Sequence, residues 1–202
     1  IASGAMWVEM QACQVDLLIT APQKGWSSSP CCALIGLSER ARQKIDGTTS
    51  TSFSCDLKKW LQIMETYEGG NHVYHTTMPT DALKVLRNVM KETQSIGFEK
   101  LQKAQQDLGN KVRSLLVNRG FSSVAAPGFQ SPCVVVSYTS DPEIQSGKKF
   151  MNVGLQTAAG VPLQCDEGSE FKTFRLGLFG LEKLQNIDRT VKHLEHALNT
   201  IG

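Results

Sequence analysis

The sequence predicts an α/β fold in two parts, and three observations carry that prediction. Two short apolar runs, 15–20 (Val-Asp-Leu-Leu-Ile-Thr) and 32–37 (Cys-Ala-Leu-Ile-Gly-Leu), have the length and composition of strands buried on both faces, as in a helix-covered sheet. From Thr80 onward, two long stretches repeat their apolar residues at helical spacing. Beyond residue 120, strand-like and helix-like segments alternate in the order β-β-α-β-β-α, which implies a small α+β sandwich with helices on one face of a mostly antiparallel sheet. The 202 residues suffice for one large domain or two small ones.

The elements follow in chain order. Pro22 closes the first strand, and after the second Ser38 can cap a short helix over 39–45. A polar loop spans 46–55, and a helix over 56–67 ends at the Gly69-Gly70-Asn71 break. The next helix carries Leu83, Leu86, Val89 and Met90, with Thr80 or Asp81 as its cap, until Ser95-Ile96-Gly97 interrupts it. A helix over 98–118 repeats the stripe through Leu101, Leu108, Val112, Leu115 and Leu116, and Gly120 stands where a C-terminal cap belongs. Strands are expected at 121–126, 133–138, 161–165 and 172–178, with a helix at 141–153. Leu181, Leu184, Ile187, Val191, Leu194 and Leu198 give the last helix one apolar face.

Composition narrows the function. The 21 Lys+Arg nearly balance 19 Asp+Glu, for a net charge of +2 without a basic run, which argues against a nucleic-acid or membrane-surface footprint. No apolar run approaches the roughly 18 residues of a membrane span, and no secretory or prenylation signal is read. The cysteines are Cys13, Cys31, Cys32, Cys55, Cys133 and Cys165; no pair has metal-ligand or redox-motif spacing, so no metal site is expected. Adjacent Cys31 and Cys32 rarely bridge each other, and most of the six sit beside apolar neighbours. Reduced thiols in a cytoplasmic setting are the expectation. The chain opens Ile1-Ala2-Ser3-Gly4 without an initiator Met and reads as a cut through a longer protein.

Among the chemically useful residues, Lys24 comes first. It lies in the turn 21–30 at the end of the first strand, positioned to point into a site. A lysine becomes a nucleophile only when its ammonium is partly desolvated or lies near other cations; otherwise it is a solvated surface charge. Arg175 lies on a strand next to Gly177 and Gly180, where absent side chains leave room for a ligand, and its planar fork suits a carboxylate. The plain alternative is a surface arginine on an edge strand. Tyr74 and Thr77 offer hydroxyl donors, or are simply loop residues before a helix; Gln23 can donate its amide to a ligand or to a turn. His75 can equally be a packing residue and stays outside the candidate set.

Three strings resemble, in order, segments of the class V aminotransferases, the fold-type I pyridoxal-phosphate (PLP) enzymes that include alanine-glyoxylate and serine-glyoxylate transaminases. The first is 16–24 (Asp-Leu-Leu-Ile-Thr-Ala-Pro-Gln-Lys), followed by a strand and Ser38-Glu39-Arg40-Ala41; it resembles the cofactor-lysine segment. The second, Tyr74-His75-Thr76-Thr77-Met78-Pro79, resembles the family's Tyr-His-His-Thr-x-Pro. The third, Phe174-Arg175-Leu176-Gly177-Leu178-Phe179-Gly180, resembles Phe-Arg-Ile-Gly-x-x-Gly. The resemblance implies the C-terminal part of the fold-type I large domain over 1–78, then a long linking helix and small α+β domain over 79–202. It implies PLP held as a Schiff base on Lys24 and a transaminase acting on an amino acid and a 2-oxo acid such as glyoxylate or pyruvate. Gln23, Tyr74 and Thr77 would bind the cofactor phosphate, the last two across a homodimer, and Arg175 the substrate carboxylate.

The sequence also departs from the family. Where the family often has Pro-Pro-Gly after the lysine, this chain has 26–32, Trp-Ser-Ser-Ser-Pro-Cys-Cys. Ser3-Gly4-Ala5-Met6 resembles the segment just after the cofactor aspartate, which by that alignment falls about two residues before Ile1; without it the chain alone is expected not to transaminate. The alternatives are a catalytically incomplete fragment or binding module, and a desulfurase-like class V lyase. Gln23 weighs against the lyase, which usually has His before the lysine.

Overall fold

A computed structural model describes residues 2–201. Ile1, from which the expected aspartate is counted, lies outside them.

Near the N-terminus, β1 (Leu17–Thr20) and β2 (Leu34–Leu37) form an antiparallel pair in the register Leu17↔Leu37, Ile19↔Ile35. The pair is strapped at its open end by Asp16. Ser38 Oγ donates to Asp16 Oδ1 at 2.6 Å, the Ser38 N–H reaches the Asp16 carbonyl at 2.9 Å, and the Arg40 guanidinium donates to both carboxylate oxygens. These bonds hold the Asp16 carboxyl below its ordinary range, Arg40 first and Ser38 second. Ser38 Oγ accepts from the Ala41 N–H at 3.1 Å, capping α1 (Glu39–Asp46) as expected.

The expectation that both strands are buried on both faces is corrected. Ile19 is 61% exposed and Leu17 47%; in these two strands only Thr20 is buried. Among the described residues no element covers that face. The helix α2 (Leu57–Glu68) starts at the Asp56 cap, and Arg42 ties α1 to it through Glu65 at 2.7 Å.

The helix α3 (Thr80–Ile96) starts after Pro79 with no side-chain cap, so neither Thr80 nor Asp81 caps it; Thr80 is already helical, and Asp81 lies in the first turn, where its charge suits the helix dipole. Gly97, at φ 99°, turns the chain into α4 (Phe98–Asn118). Leu101, Leu108, Val112 and Leu116 form its buried stripe. The chain leaves α4 through Gly120, where the Phe121 N–H closes onto the Leu116 carbonyl at 3.0 Å.

The second sheet has β3 (Val134–Tyr138), β4 (Ala158–Ala159) and β5 (Thr173–Gly177) in the order β3-β5-β4, all antiparallel. Two expected strands are corrected. Residues 121–126 make only the isolated Ser123↔Ser137 bridge before Pro127 turns the chain away. Residues 161–165 cannot enter a ladder, because the Glu167 carboxylate takes the N–H groups of Leu163, Gln164 and Cys165; the ladder forms earlier, at β4. The helix expected over 141–153 is split at Gly147 into α5 (Pro142–Gln145) and α6 (Lys148–Asn152). The last helix is split at Asn186 into α7 (Leu181–Gln185) and α8 (Ile187–Ile201).

One cluster around Leu108, Phe150 and Phe174 joins α4, α6, α8 and the sheet. Phe174 and Leu176 face that core, so alternation along the strand turns Arg175 and Gly177 to the opposite face.

Candidate active site

Strand β1 ends at Thr20, and Pro22 begins a turn closed by the Ser28 N–H onto the Pro22 carbonyl at 3.0 Å. Gln23 and Lys24 stand exposed at its crest. The turn is positioned from beneath by the N-terminal segment. Ser3 Oγ donates to Thr20 Oγ1 at 2.9 Å, with both groups buried. The backbones of Gly4 and Gly25 touch, and a Cβ on Gly4 would come within 2.5 Å of the Gly25 carbonyl carbon. Only glycine allows this approach.

Trp26 is the wedge of the turn. It is 7% exposed and meets Trp7 and Phe98 edge-on at ring distances of 6.3 and 6.5 Å, while Trp7 stacks on Phe98 at 3.9 Å. Ser27 follows at φ 57°, a rare conformation for a residue with a side chain, and its Oγ accepts the Leu181 N–H at 2.9 Å. Gly180 offers α7 no side-chain cap of its own, so Ser27 caps that helix from 154 residues away. This bond brings the Lys24 turn against the Phe174–Gly180 segment.

Arg175 is central in its sheet, opposite Val136 on one side and Ala158 on the other, which corrects the edge-strand alternative. Its Nε donates to the Ala159 carbonyl at 2.8 Å, and among the described residues its terminal nitrogens have no acceptor. A Cβ on the neighbouring Gly177 would meet nothing within 4 Å. A half-buried guanidinium with its fork open, next to empty space, can bind a carboxylate.

Tyr74 and Thr77 form a separate pair. Their hydroxyls are 3.4 Å apart on an exposed loop before α3, and Tyr74 is 79% exposed. No hydrogen bond joins them to the Lys24 turn among the described residues. His75 packs between Phe53 and Trp60, at ring distances of 4.4 and 4.9 Å, with Nε2 buried and unpartnered. The packing role fits it.

Within the described residues Lys24 is exposed, so the desolvation that would activate it is not supplied by this chain's own fold. A cleft of about 590 Å³ next to Asp16, Ser38 and Arg40 contains none of the candidate residues. All six cysteines are free, and no group of three His, Cys, Asp or Glu among the described residues could hold a metal ion. Among the described residues, no helix is long and apolar enough to cross a membrane. Sequence reasoning missed Ser27, Trp26 and Phe98 as the residues that set the lysine turn. The only signal for Trp26 and Ser27 was the departure at 26–29 from the family pattern, and Phe98 carried none.

No family model matches the chain. Among curated proteins, it is 26% identical over 191 residues to the alanine–glyoxylate aminotransferase of Felis catus, covering 91% of this chain and 45% of that protein. Among solved structures, the pyridoxamine–pyruvate aminotransferase of Mesorhizobium loti aligns with a TM-score of 0.78 at 20% identity, over 98% of this chain and 50% of that one. The alanine–glyoxylate aminotransferase of Nostoc sp. aligns at 0.74, also at 20% identity, over 95% and 50%. The chain spans about half the length of the relatives it matches.

Proposed function

Starting from a chain with the fold of the C-terminal part of the fold-type I PLP transferases, whose relatives include alanine–glyoxylate aminotransferases, we propose that it belongs to a PLP-dependent aminotransferase. The reaction moves an amino group from an amino acid to a 2-oxo acid such as glyoxylate or pyruvate. One observation carries this reading: the Ser27–Leu181 bond draws the lysine turn against the segment that bears Arg175.

When bound, PLP supplies the electron sink that stabilises the carbanion. The residues present fit it in kind: an exposed amine on a glycine-backed turn, an open guanidinium, and paired exposed hydroxyls. Lys24 would hold the cofactor through its amine and, once freed, would take the α-proton of the amino donor as base and return it as acid. Arg175 grips the substrate carboxylate with its free terminal nitrogens. Gln23 donates to the cofactor phosphate, as do Tyr74 and Thr77; the exposure of that pair supports a homodimer in which each subunit's pair serves the other's site. The large-domain part runs over 1–78 and the linking helix with the small domain over 79–202. Six free thiols support a cytoplasmic setting.

A second reading, a catalytically incomplete module, is favoured by the exposure of Lys24. The test that separates them adds PLP to the purified chain, reduces with borohydride and maps the labelled peptides. A stoichiometric adduct at Lys24 that vanishes in Lys24→Ala supports the retained site. Labelling spread over surface lysines, unchanged in the variant, overturns it in favour of the module.

A further inference from the structure

Cys31 and Cys32 have no part in the roles assigned above. They lie on the limb that returns from Ser28 to β2, both free and half-buried, with their sulfurs 3.9 Å apart. The other four cysteines offer no such pair: Cys13, Cys55 and Cys165 are exposed and Cys133 is buried, and only Cys31 and Cys32 make a sulfur–sulfur contact among the described residues.

Geometry decides what this pair can do. A direct disulfide needs sulfurs about 2.05 Å apart and Cα atoms usually about 4.4–6.8 Å apart. Residues joined by a trans peptide hold their Cα atoms about 3.8 Å apart, so the oxidised ring is strained. An atom inserted between the sulfurs asks for much less. Two bonds of about 2.3 Å, meeting at or somewhat below the tetrahedral angle, put their sulfurs roughly 3.3–3.8 Å apart. That spacing is a few tenths of an ångström from the one present. Burial, helped by the neighbouring Cys31 thiol, also pushes Cys32 up to about 11. Cys32 is therefore a protonated thiol at neutral pH, slow toward single-site electrophiles.

We propose that Cys31 and Cys32 form a dithiol chelation site for trivalent thiophilic centres of the arsenical class. This does not depend on the aminotransferase reading. With an arsenoxide, two As–S bonds form and the arsenic–oxygen bond is lost. Both thiol protons leave with that oxygen as water, and no atom is oxidised or reduced. The chelate ties together two consecutive residues of the limb that leads from the Lys24 turn into β2.

Phenylarsine oxide is the probe. In a background carrying Cys13→Ser, Cys55→Ser and Cys165→Ser, the chain should take up one equivalent, released by 2,3-dimercaptopropanol but not by an equal concentration of a monothiol. Adding Cys31→Ser or Cys32→Ser should abolish uptake, with circular dichroism confirming that the variant is folded. Stoichiometric uptake that survives either substitution, or none in the background itself, overturns the proposal. Peptide mapping of the unsubstituted chain answers without variants: after treatment the peptide carrying Cys31 and Cys32 should hold one phenylarsenic group and no free thiol, and a free thiol at either residue overturns the site.

Discussion

Ser27 carries two burdens at once, a left-handed backbone and the acceptor for the Leu181 N–H. Ser27→Ala removes the acceptor and keeps the strain, and by analogy with other lost helix caps should cost about 0.5–2 kcal/mol. Ser27→Gly also loses the acceptor but relieves the backbone, so it should cost less. Denaturant midpoints at unchanged slope decide the matter, and a wild-type midpoint in Ser27→Ala would remove the cap from the account. Glu167 is a second case. Backbone N–H groups, Cys165 first and then Gln164, hold its carboxyl at about 2 against an ordinary 4.5. Because the folded value is depressed, the bonds are fully present above the ordinary value and are lost as pH falls through the folded one. Amide protection at Gln164 and Cys165 should therefore decline between about pH 5 and about pH 2, and should be low throughout in Glu167→Gln. Protection that ignores both changes would show that the carboxylate does not hold the loop. Ser38 was legible as a cap because its acceptor role is completed three residues away; Ser27 was not, because its partner is 154 residues distant.

The helices were the legible elements, since their apolar spacing is a local property that packing only had to use. The stripe of α4 is buried as its periodicity implies. Gly109 within it shows what periodicity omits. A Cβ there would come within 2.7 Å of the Pro132 backbone. In an open helix Gly→Ala gains about 1 kcal/mol from propensity. Here the methyl must push the loop before β3, so Gly109→Ala should destabilise by ~1–3 kcal/mol, read by thermal or denaturant unfolding. A gain in stability would show that the loop yields freely. The strands were harder to read. Residues 161–165 have strand composition, yet a strand needs free amides, and a carboxylate two positions beyond the run takes three of them. The helix split at Gly147 and the one split at Asn186 were each read as continuous, because the apolar pattern runs through the break.

For the molecule as a whole, the main core lies among α4, α6, α8 and the second sheet, while the first strand pair keeps an uncovered apolar face of Leu17, Ile19 and Ile35. Such a face binds apolar dyes and associates with other molecules. Ile19→Lys should lower dye fluorescence and concentration-dependent association while shifting the unfolding midpoint by no more than ~0.5 kcal/mol. Unchanged association would place the sticky surface elsewhere.

By itself the sequence determined the helices up to residue 118, the strands at 15–20, 32–37, 133–138 and 172–178, the Ser38 cap and the three strings from which the fold-type I resemblance was drawn. All of these rest on residues close together in the chain. Only the tertiary structure decided that Ser27 joins the lysine turn to the arginine segment, that Trp26 is wedged against Trp7 and Phe98, and that Lys24 and the outer face of β1 stand open to solvent. Those outcomes depend on which distant groups share one volume, and no local pattern encodes that.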